Sequence, residues 1–147
     1  MAMKFHVNQY DCEHQPYITH LFRVANACYP DVKAMTIAIL HDILEDTPCT
    51  AYELQEVFGD EIASAVIWLS RKPLVSYEIY ISNLKDNSIL RKVKIADLKD
   101  NLNPTRIKYI YERYGHDANK WNEWYTKRVH SLKLLEDIEN RLKEGTR

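Results

Sequence analysis

The sequence predicts a single all-α domain, and three observations support that fold class. Apolar residues recur at intervals of three and four through most of the chain, whereas the alternation typical of strands is almost absent. Only 3 glycines and 5 prolines are present, too few for the turns of a β-sandwich or for long flexible linkers. A length of 147 residues allows one domain, which would bury about two-thirds of the surface of its unfolded chain. We therefore expect residues 1–147 to form one helical unit.

The first half of the chain contains four predicted helices. An apolar stripe predicts the first over residues 17–28, after Pro16. The second, over residues 32–45, is apolar on most sides, which is typical of a buried core helix. Thr50 and Glu53 form a capping box for a third helix that stops at Gly59. Asp60 can cap a fourth, which ends before Pro73.

The second half contains three more helical segments and one segment without a clear pattern. Ser76 can cap a helix that carries Tyr77 and Tyr80, and residues 89–102 form a longer one. Pro104 marks a boundary before the variable segment. A last helix over residues 119–142 completes the bundle, and its apolar side is predicted to be Trp121, Trp124, Val129, Leu132, Leu135 and Ile138.

The charge balance excludes several classes of partner. Lys+Arg number 20 and Asp+Glu number 21, so no general field draws the chain to nucleic acid or to an anionic membrane. Cys12, Cys28 and Cys49 are too scattered for a disulfide framework or a CxxC metal site. No apolar run approaches the ~20 residues needed to span a bilayer. We expect a cytoplasmic protein that holds any anionic ligand with local cations.

Four polar residues interrupt the apolar core helix. His41 and Asp42 are adjacent, and Glu45 and Asp46 follow one turn later. In a continuous helix His41 and Glu45 share one face, and the two aspartates share the next. Burying these groups is costly unless they are paired or coordinate a metal. The alternative for this segment alone is a solvated polar face at the end of a helix.

Two further polar residues lie on apolar helical faces. His20 belongs to the stripe of the first helix, and Asp97 lies at the edge of an apolar surface. Alone, His20 would be an ordinary buried histidine; with His41, Asp42 and Asp97 it makes a mixed ligand set suited to Mn²⁺, Fe²⁺ or Zn²⁺. The carboxylates of residues 45 and 46 would then be placed to orient or deprotonate a water molecule.

These residues resemble the signature of a known family. His20, the His41-Asp42 pair and the distant Asp97 are similar to the motif of the HD-domain phosphohydrolases. The sequence around them resembles the hydrolase domain of the RelA/SpoT family and its stand-alone small alarmone hydrolases. The similarity covers about residues 11–102 and is carried by four ordered blocks: residues 16–20, 40–47, 58–63 and 94–98.

The resemblance implies a fold, a cofactor and a reaction. It implies an all-α, single-domain, HD-type helical bundle with one Mn²⁺ on His20, His41, Asp42 and Asp97. It implies that Glu45 and Asp46 activate the attacking water, and that the reaction removes the 3′-pyrophosphate from (p)ppGpp. Asn101 matches the family asparagine that contacts the nucleotide, and Lys94 matches a lysine beside the site, so both are expected to bind substrate. A surface or carboxylate-pairing amine for Lys94 and a helix-end amide for Asn101 are the alternatives.

Departures from the family pattern leave the substrate open. The family's basic pair ahead of the first histidine is replaced by Gln9 and Tyr10, which removes two phosphate-binding cations. An HD nucleotidase or phosphodiesterase that acts on ordinary nucleotides is therefore one alternative. A nucleotide-binding module without turnover is another, although it would not need the water-activating pair. The cations considered as replacements are Arg23, Arg71, Lys72, Arg91 and Arg106.

Overall fold

The computed structural model describes residues 1–146, and its regular structure is helical throughout that range. Its helices are α1 (Ala2–Phe5), α2 (Ile18–Ala27), α3 (Val32–Leu40), α4 (Ile43–Asp46), α5 (Ala51–Leu69), α6 (Tyr77–Leu84), α7 (Ser88–Asn101), α8 (Pro104–Tyr114) and α9 (Ala118–Gly145). Across the described residues the one β-type contact is an isolated bridge between Tyr10 and Pro16. The predicted all-α fold class is confirmed.

The centre of the bundle is formed by α2, α3 and α7, which pack against one another in all three pairings. Helix α5 covers α3, and α9 lies along α7. Leu21, Ile37, Leu54 and Leu98 lie in this core with at most 1% of their surface exposed. Helices from distant parts of the sequence are thereby held side by side, which allows polar residues on their inner faces to meet. No helix in the described range is both long enough and apolar enough to cross a bilayer.

The prediction of one continuous helix over residues 32–45 was wrong. Helix α3 ends at Leu40, His41 and Asp42 form a turn, and α4 begins at Ile43. The ring Nδ1–H of His41 donates to the carbonyl oxygen of Ala38 at 2.6 Å. In a continuous helix the Asp42 N–H would donate to that oxygen. The side chain therefore replaces a backbone hydrogen bond at the point where the helix breaks.

The capping box predicted at Thr50 is present. The Thr50 hydroxyl accepts from the Glu53 N–H at 3.2 Å, and the Glu53 carboxylate accepts from the Thr50 N–H at 2.8 Å. Gly59 interrupts α5 as predicted, because its φ of +79° is non-helical and favours glycine. Asp60 accepts a hydrogen bond from the Gln55 side chain rather than from a helix N–H.

The C-terminal third differs most from the prediction. The segment after Pro104 is a helix, α8, with Pro104 in its first turn and the Asn103 side chain accepting from the Thr105 N–H. Helix α9 is longer than predicted, and among its described residues only Ser131 and Leu135 are buried. Of its predicted apolar side, Leu135 is buried and Leu132 packs against the core, whereas the prediction was wrong for Val129 and Trp124. Val129 is 40% exposed, and Trp124 lines a cavity.

Candidate active site

Three helices bring two imidazoles and a carboxylate to one point. His20 lies on α2, His41 follows α3 and Asp97 lies on α7. One ligand atom from each lies within 4.8 Å of the others, an arrangement that could hold a metal ion. Asp97 Oδ1 is 3.4 Å from His20 Nε2 and 3.5 Å from His41 Nε2. All three residues are buried, with at most 5% of their surface exposed.

Asp42 lies beside these three residues. Its Oδ2 atom is 2.9 Å from His41 Nε2 and 3.7 Å from His20 Nε2. The Tyr17 hydroxyl donates to the same oxygen at 2.6 Å. About one fifth of the Asp42 side chain is exposed (20%), so this carboxylate forms the solvent-facing side of the cluster. The structure therefore brings together all four residues predicted as metal ligands.

Hydrogen bonds on the far side of each ring orient both imidazoles. His41 Nδ1 is bonded to a main-chain carbonyl, which only an N–H can satisfy, so the neutral ring carries its lone pair on Nε2. His20 Nδ1 is 2.7 Å from Asp100 Oδ2, which favours the same tautomer. The buried His41 Nε2 is 2.9 Å from Asp42 Oδ2 but lacks the geometry of a hydrogen bond with any described residue. Both free nitrogens face the carboxylates, so the donor set fits a divalent cation.

The carboxylates favour a positive charge at this point. Burial by itself lowers the pKa of His41, but the Asp42 and Asp97 carboxylates outweigh burial and raise that pKa well above its ordinary value. Burial likewise opposes the charged form of Asp97, yet Lys94 and the two imidazoles hold its pKa well below the ordinary value. Because the surroundings of the cluster favour a positive charge, its two imidazoles and two carboxylates would stabilise a bound cation.

Lys94 and Asn101 both contact Asp97. Lys94 Nζ is 2.8 Å from Asp97 Oδ2, and the Asn101 side-chain N–H donates to Asp97 Oδ1 at 2.7 Å. Lys94 Nζ also lies 5.2 Å from the centre of the Tyr80 ring. Both residues line a cavity that opens beside the cluster, so they are near any ligand held there. Lys94 thus pairs with a carboxylate, as the alternative interpretation predicts, and it also lines the cavity.

Glu45 and Asp46 lie in α4, next to the cluster in sequence and open to solvent. The Glu45 carboxylate accepts a hydrogen bond from the Arg71 N–H and lines the cavity. The Asp46 carbonyl oxygen accepts from the Gln9 side chain at 2.7 Å. Partial burial raises the pKa of both carboxyl groups, and the negative charge of Asp42 raises it further. A raised pKa makes a carboxylate a better proton acceptor near neutral pH.

The cavity beside the cluster has a volume of about 510 Å³. It is lined by Tyr17, Asp42, Glu45, Leu69, Arg71, Tyr77, Tyr80, Lys94, Asp97, Asn101, Tyr114, Lys120, Glu123, Trp124, Lys127 and Arg128. Five of these side chains are cationic, and three of the cations project from α9. The carboxylates of Asp42 and Asp97 belong to the histidine cluster. The cavity therefore lies between the His/Asp cluster and the cations of α9, of which Lys127 is paired with Glu123.

The basic wall of α9, defined as Lys120, Trp124, Lys127 and Arg128, was not predicted from the sequence. These residues are spaced i, i+4, i+7 and i+8, which places them on one helical face. That spacing could have indicated a shared surface, but the apolar pattern of the helix predicts Trp124 as a core residue. The Arg128 guanidinium lies 4.2 Å from the centre of the Trp124 ring, and among the described residues it forms no ion pair.

Most of the cations considered as replacements for the family's basic pair lie elsewhere. Arg71 lines the cavity, whereas Arg91 bonds to Glu139 and to the Lys85 carbonyl oxygen. Arg23 and Arg106 contact carboxylates behind His20. Lys72 is exposed. Tyr10, at one of the substituted positions, is 65% exposed. The cations of the cavity lining therefore come mainly from α9.

Fold and site together place the chain in a class: an all-α bundle of the HD type with a His/Asp cluster at the junction of three helices. A solved structure described as a metazoan ortholog of SpoT that hydrolyses ppGpp matches it with a TM-score of 0.66. That match covers 95% of this chain and 90% of the other at 22% identity, and it concerns the fold.

Sequence comparison finds relatives that carry one enzyme name. The chain resembles proteins named guanosine-3′,5′-bis(diphosphate) 3′-pyrophosphohydrolase, with 32% identity in Haemophilus influenzae and 34% in Spiroplasma citri over 68% and 72% of this chain. The Drosophila melanogaster protein of that name, MESH1, is 29% identical over 66% of this chain. The matched regions span 15%, 16% and 60% of these relatives. No family model matches the chain.

Proposed function

We propose that this chain is a metal-dependent phosphohydrolase that removes the 3′-pyrophosphate from (p)ppGpp. The observation that carries the proposal is the convergence of His20, His41, Asp42 and Asp97 beside a cavity with a basic wall. The names of the sequence relatives supply the reaction type. A nucleotide substrate and three free cysteines favour a cytoplasmic location.

His20, His41, Asp42 and Asp97 would hold one divalent cation, for which we propose Mn²⁺. Two imidazoles and two carboxylates suit a borderline or hard ion, and no thiolate is part of the cluster. Such an ion lowers the pKa of bound water and polarises a phosphoryl oxygen. Lys94 and Asn101 hold both oxygens of Asp97, so that carboxylate is fixed before any ligand arrives.

Glu45 and Asp46 would act as the proton acceptors. They lie on the short helix that begins directly after Asp42, and Glu45 reaches the cavity. The Arg71 N–H orients the Glu45 carboxylate, while the Gln9 side chain fixes the Asp46 backbone. Their raised pKa favours proton uptake from a water molecule during attack.

The basic wall and Arg71 would bind the phosphates that are not cleaved. An alarmone carries two pyrophosphate groups, and Lys or Arg contacts supply most of the attraction for such groups. Burial lowers the pKa of Arg128, so an anion beside its guanidinium would stabilise the charged form. We propose that Lys94 and Asn101 also contact the nucleotide, as their place in the cavity lining allows.

The test incubates protein loaded with Mn²⁺ separately with ppGpp, GTP, GDP and cyclic dinucleotides, and identifies the nucleotide products and any released pyrophosphate by anion-exchange chromatography. We expect release from ppGpp, loss of release in Asp97→Ala, and unchanged release in Glu144→Gln, an exposed carboxylate near the end of α9. Turnover of ordinary nucleotides alone would overturn the substrate and favour the nucleotidase alternative. Tight binding of ppGpp without turnover would overturn the proposal that the chain is an enzyme, and would favour a nucleotide-binding module.

A further inference from the structure

We propose that Asp100 and Arg106 are positioning residues that set the orientation and basicity of His20 toward a bound cation. Neither was assigned this role from the sequence. Asp100 lies one turn after Asp97 on α7, and Arg106 lies on α8, beyond the region of family resemblance. The inference rests on the proposed cation site, because orientation of His20 matters only if its Nε2 atom is a ligand.

The Asp100 carboxylate lies on the side of His20 away from the cluster. Its Oδ2 atom is 2.7 Å from His20 Nδ1, which leaves Nε2 facing Asp42 and Asp97. The Arg23 guanidinium donates to both of its oxygens, a contact that matches an ionised carboxylate. An ionised carboxylate that accepts a hydrogen bond from Nδ1–H fixes the tautomer of the ring. It also makes the lone pair of Nε2 more basic, so that Nε2 is a stronger metal ligand.

Two arginines lie against Asp100, and Arg23 is hydrogen-bonded to it. Arg23 donates from Nε to Oδ1 at 2.7 Å and from Nη2 to Oδ2 at 3.1 Å, which is a bidentate contact. Arg106 Nε is 3.5 Å from Asp100 Oδ2, and this nitrogen has no hydrogen-bond partner among the described residues. Arg106 is only 5% exposed, whereas the Arg23 side chain is 41% exposed. The buried guanidinium is the less screened of the two charges.

Arg106 also ties α8 to the N-terminal segment. Its Nη1 donates to Asp11 Oδ2 at 2.8 Å and to Glu13 Oε2 at 3.4 Å. The other Asp11 oxygen accepts from the N–H groups of Glu13 and Gln15, both at 2.9 Å. One buried guanidinium thus joins α8, the loop before α2 and the carboxylate that orients His20. Removing it would leave the partly exposed Arg23 as the neighbouring arginine of both Asp100 and Asp11.

The experiment measures Mn²⁺ affinity by isothermal titration calorimetry in wild type, Arg106→Met, Arg106→Lys and Asp100→Asn. Loss of an outer hydrogen-bond partner of a metal-binding histidine weakens affinity by about 10- to 100-fold. We expect a loss of that size in Asp100→Asn, and a smaller loss in Arg106→Met, because Arg106 acts on His20 only through Asp100. Arg106→Lys should recover part of the smaller loss. Electron paramagnetic resonance of the bound Mn²⁺ should show an altered signal in the weakened variants.

Arg91→Met is the matched control, since Arg91 is also buried (4% exposed) and bonded to a carboxylate, Glu139. We expect it to lower thermal stability as Arg106→Met does, while its Mn²⁺ affinity stays within twofold of wild type. Equal losses of affinity in both methionine variants would overturn the proposal, as would unchanged affinity in Asp100→Asn. If Arg106→Met does not fold, the isosteric Asp100→Asn decides. Wild type that binds no Mn²⁺ would overturn the metal centre itself.

Discussion

Arg128 is the residue whose replacement tests the basic wall most sharply. Its guanidinium lies over the Trp124 ring at 4.2 Å, with the centre of the Tyr77 ring 5.9 Å away. Its one hydrogen bond among the described residues goes to the Trp124 carbonyl oxygen at 3.3 Å. A half-buried cation that has aromatic neighbours but no carboxylate is arranged to receive an anion.

The expected effects of Arg128→Met on binding and on stability differ in size. A hydrogen bond to a charged group contributes about 1.5–3 kcal/mol, which corresponds to a loss of about ten- to a hundredfold in kcat/KM. The stacking contact with Trp124 contributes about 0.5–1 kcal/mol at a half-exposed site. For a chain of this size that lowers Tm by only about 1–4 °C. Expressed as free energies, the expected loss in kcat/KM is therefore larger than the expected loss in the stability of the fold.

The assay is steady-state pyrophosphate release from ppGpp, with thermal unfolding measured on the same preparations. Arg128→Lys should fall between wild type and Arg128→Met, since it keeps the charge but not the planar fork. Lys133→Met, an exposed cation further along α9, should leave KM within twofold of wild type. If Lys133→Met and Arg128→Met change KM equally, the basic wall does not bind the substrate and the reasoning fails.

Three further predictions concern the carboxylate proposed as proton acceptor, the packing of α9 and a helix cap. Glu45→Gln should lower kcat by about 10²- to 10⁴-fold while Mn²⁺ affinity by calorimetry stays within a fewfold; an unchanged kcat would exclude Glu45 as proton acceptor. Leu135→Ala, at a fully buried site (0% exposed), should lower the free energy of unfolding, measured by urea titration, by about 2–5 kcal/mol. It should also raise KM, because α9 carries the basic wall. Asp31 has a pKa lowered by Lys92 and by the Ala34 N–H, so its stabilising effect is present above its ordinary pKa of 3.8 and is lost as pH falls through the lower folded value. Wild type should therefore be more stable than Asp31→Asn at neutral pH, and the gap should close in acid; a gap that stays constant with pH would contradict this.

The clustering of the four proposed metal ligands could be predicted because their chemistry is unusual for their positions in the sequence. His20 and Asp97 are polar residues on apolar helical faces, and His41-Asp42 interrupts an apolar run. Burial without partners is costly, so polar residues at such positions indicate a paired or metal-binding role. The structure brings these four side chains together, as the sequence predicts.

The break at His41 could not be predicted from periodicity. The apolar pattern continues across residues 32–45, and only the side-chain hydrogen bond from His41 to the Ala38 carbonyl shows where the helix ends. That bond is local, but the ring that makes it also contacts His20 on α2 and Asp97 on α7. Tertiary contacts thus override a continuous helical pattern.

The residues that orient the cluster could not be predicted from sequence patterns for a different reason. Asp100 contacts His20 across 80 positions of sequence, and Arg106 contacts Asp11 across 95. Neither residue has a local signature, since a charged residue near a helix end is ordinary. The basic wall had a spacing signal, but the same spacing describes an apolar helix face. Only the position of α9 beside the cavity distinguishes the two.

The central claim is that His20, His41, Asp42 and Asp97 hold one divalent cation. The most direct measurement is a crystal structure of the protein grown with Mn²⁺, with anomalous diffraction recorded at the manganese edge. We predict one strong anomalous peak in contact with His20 Nε2, His41 Nε2 and carboxylate oxygens of Asp42 and Asp97. A saturated crystal with no peak at this cluster, or with its peak elsewhere in the cavity, would contradict the claim.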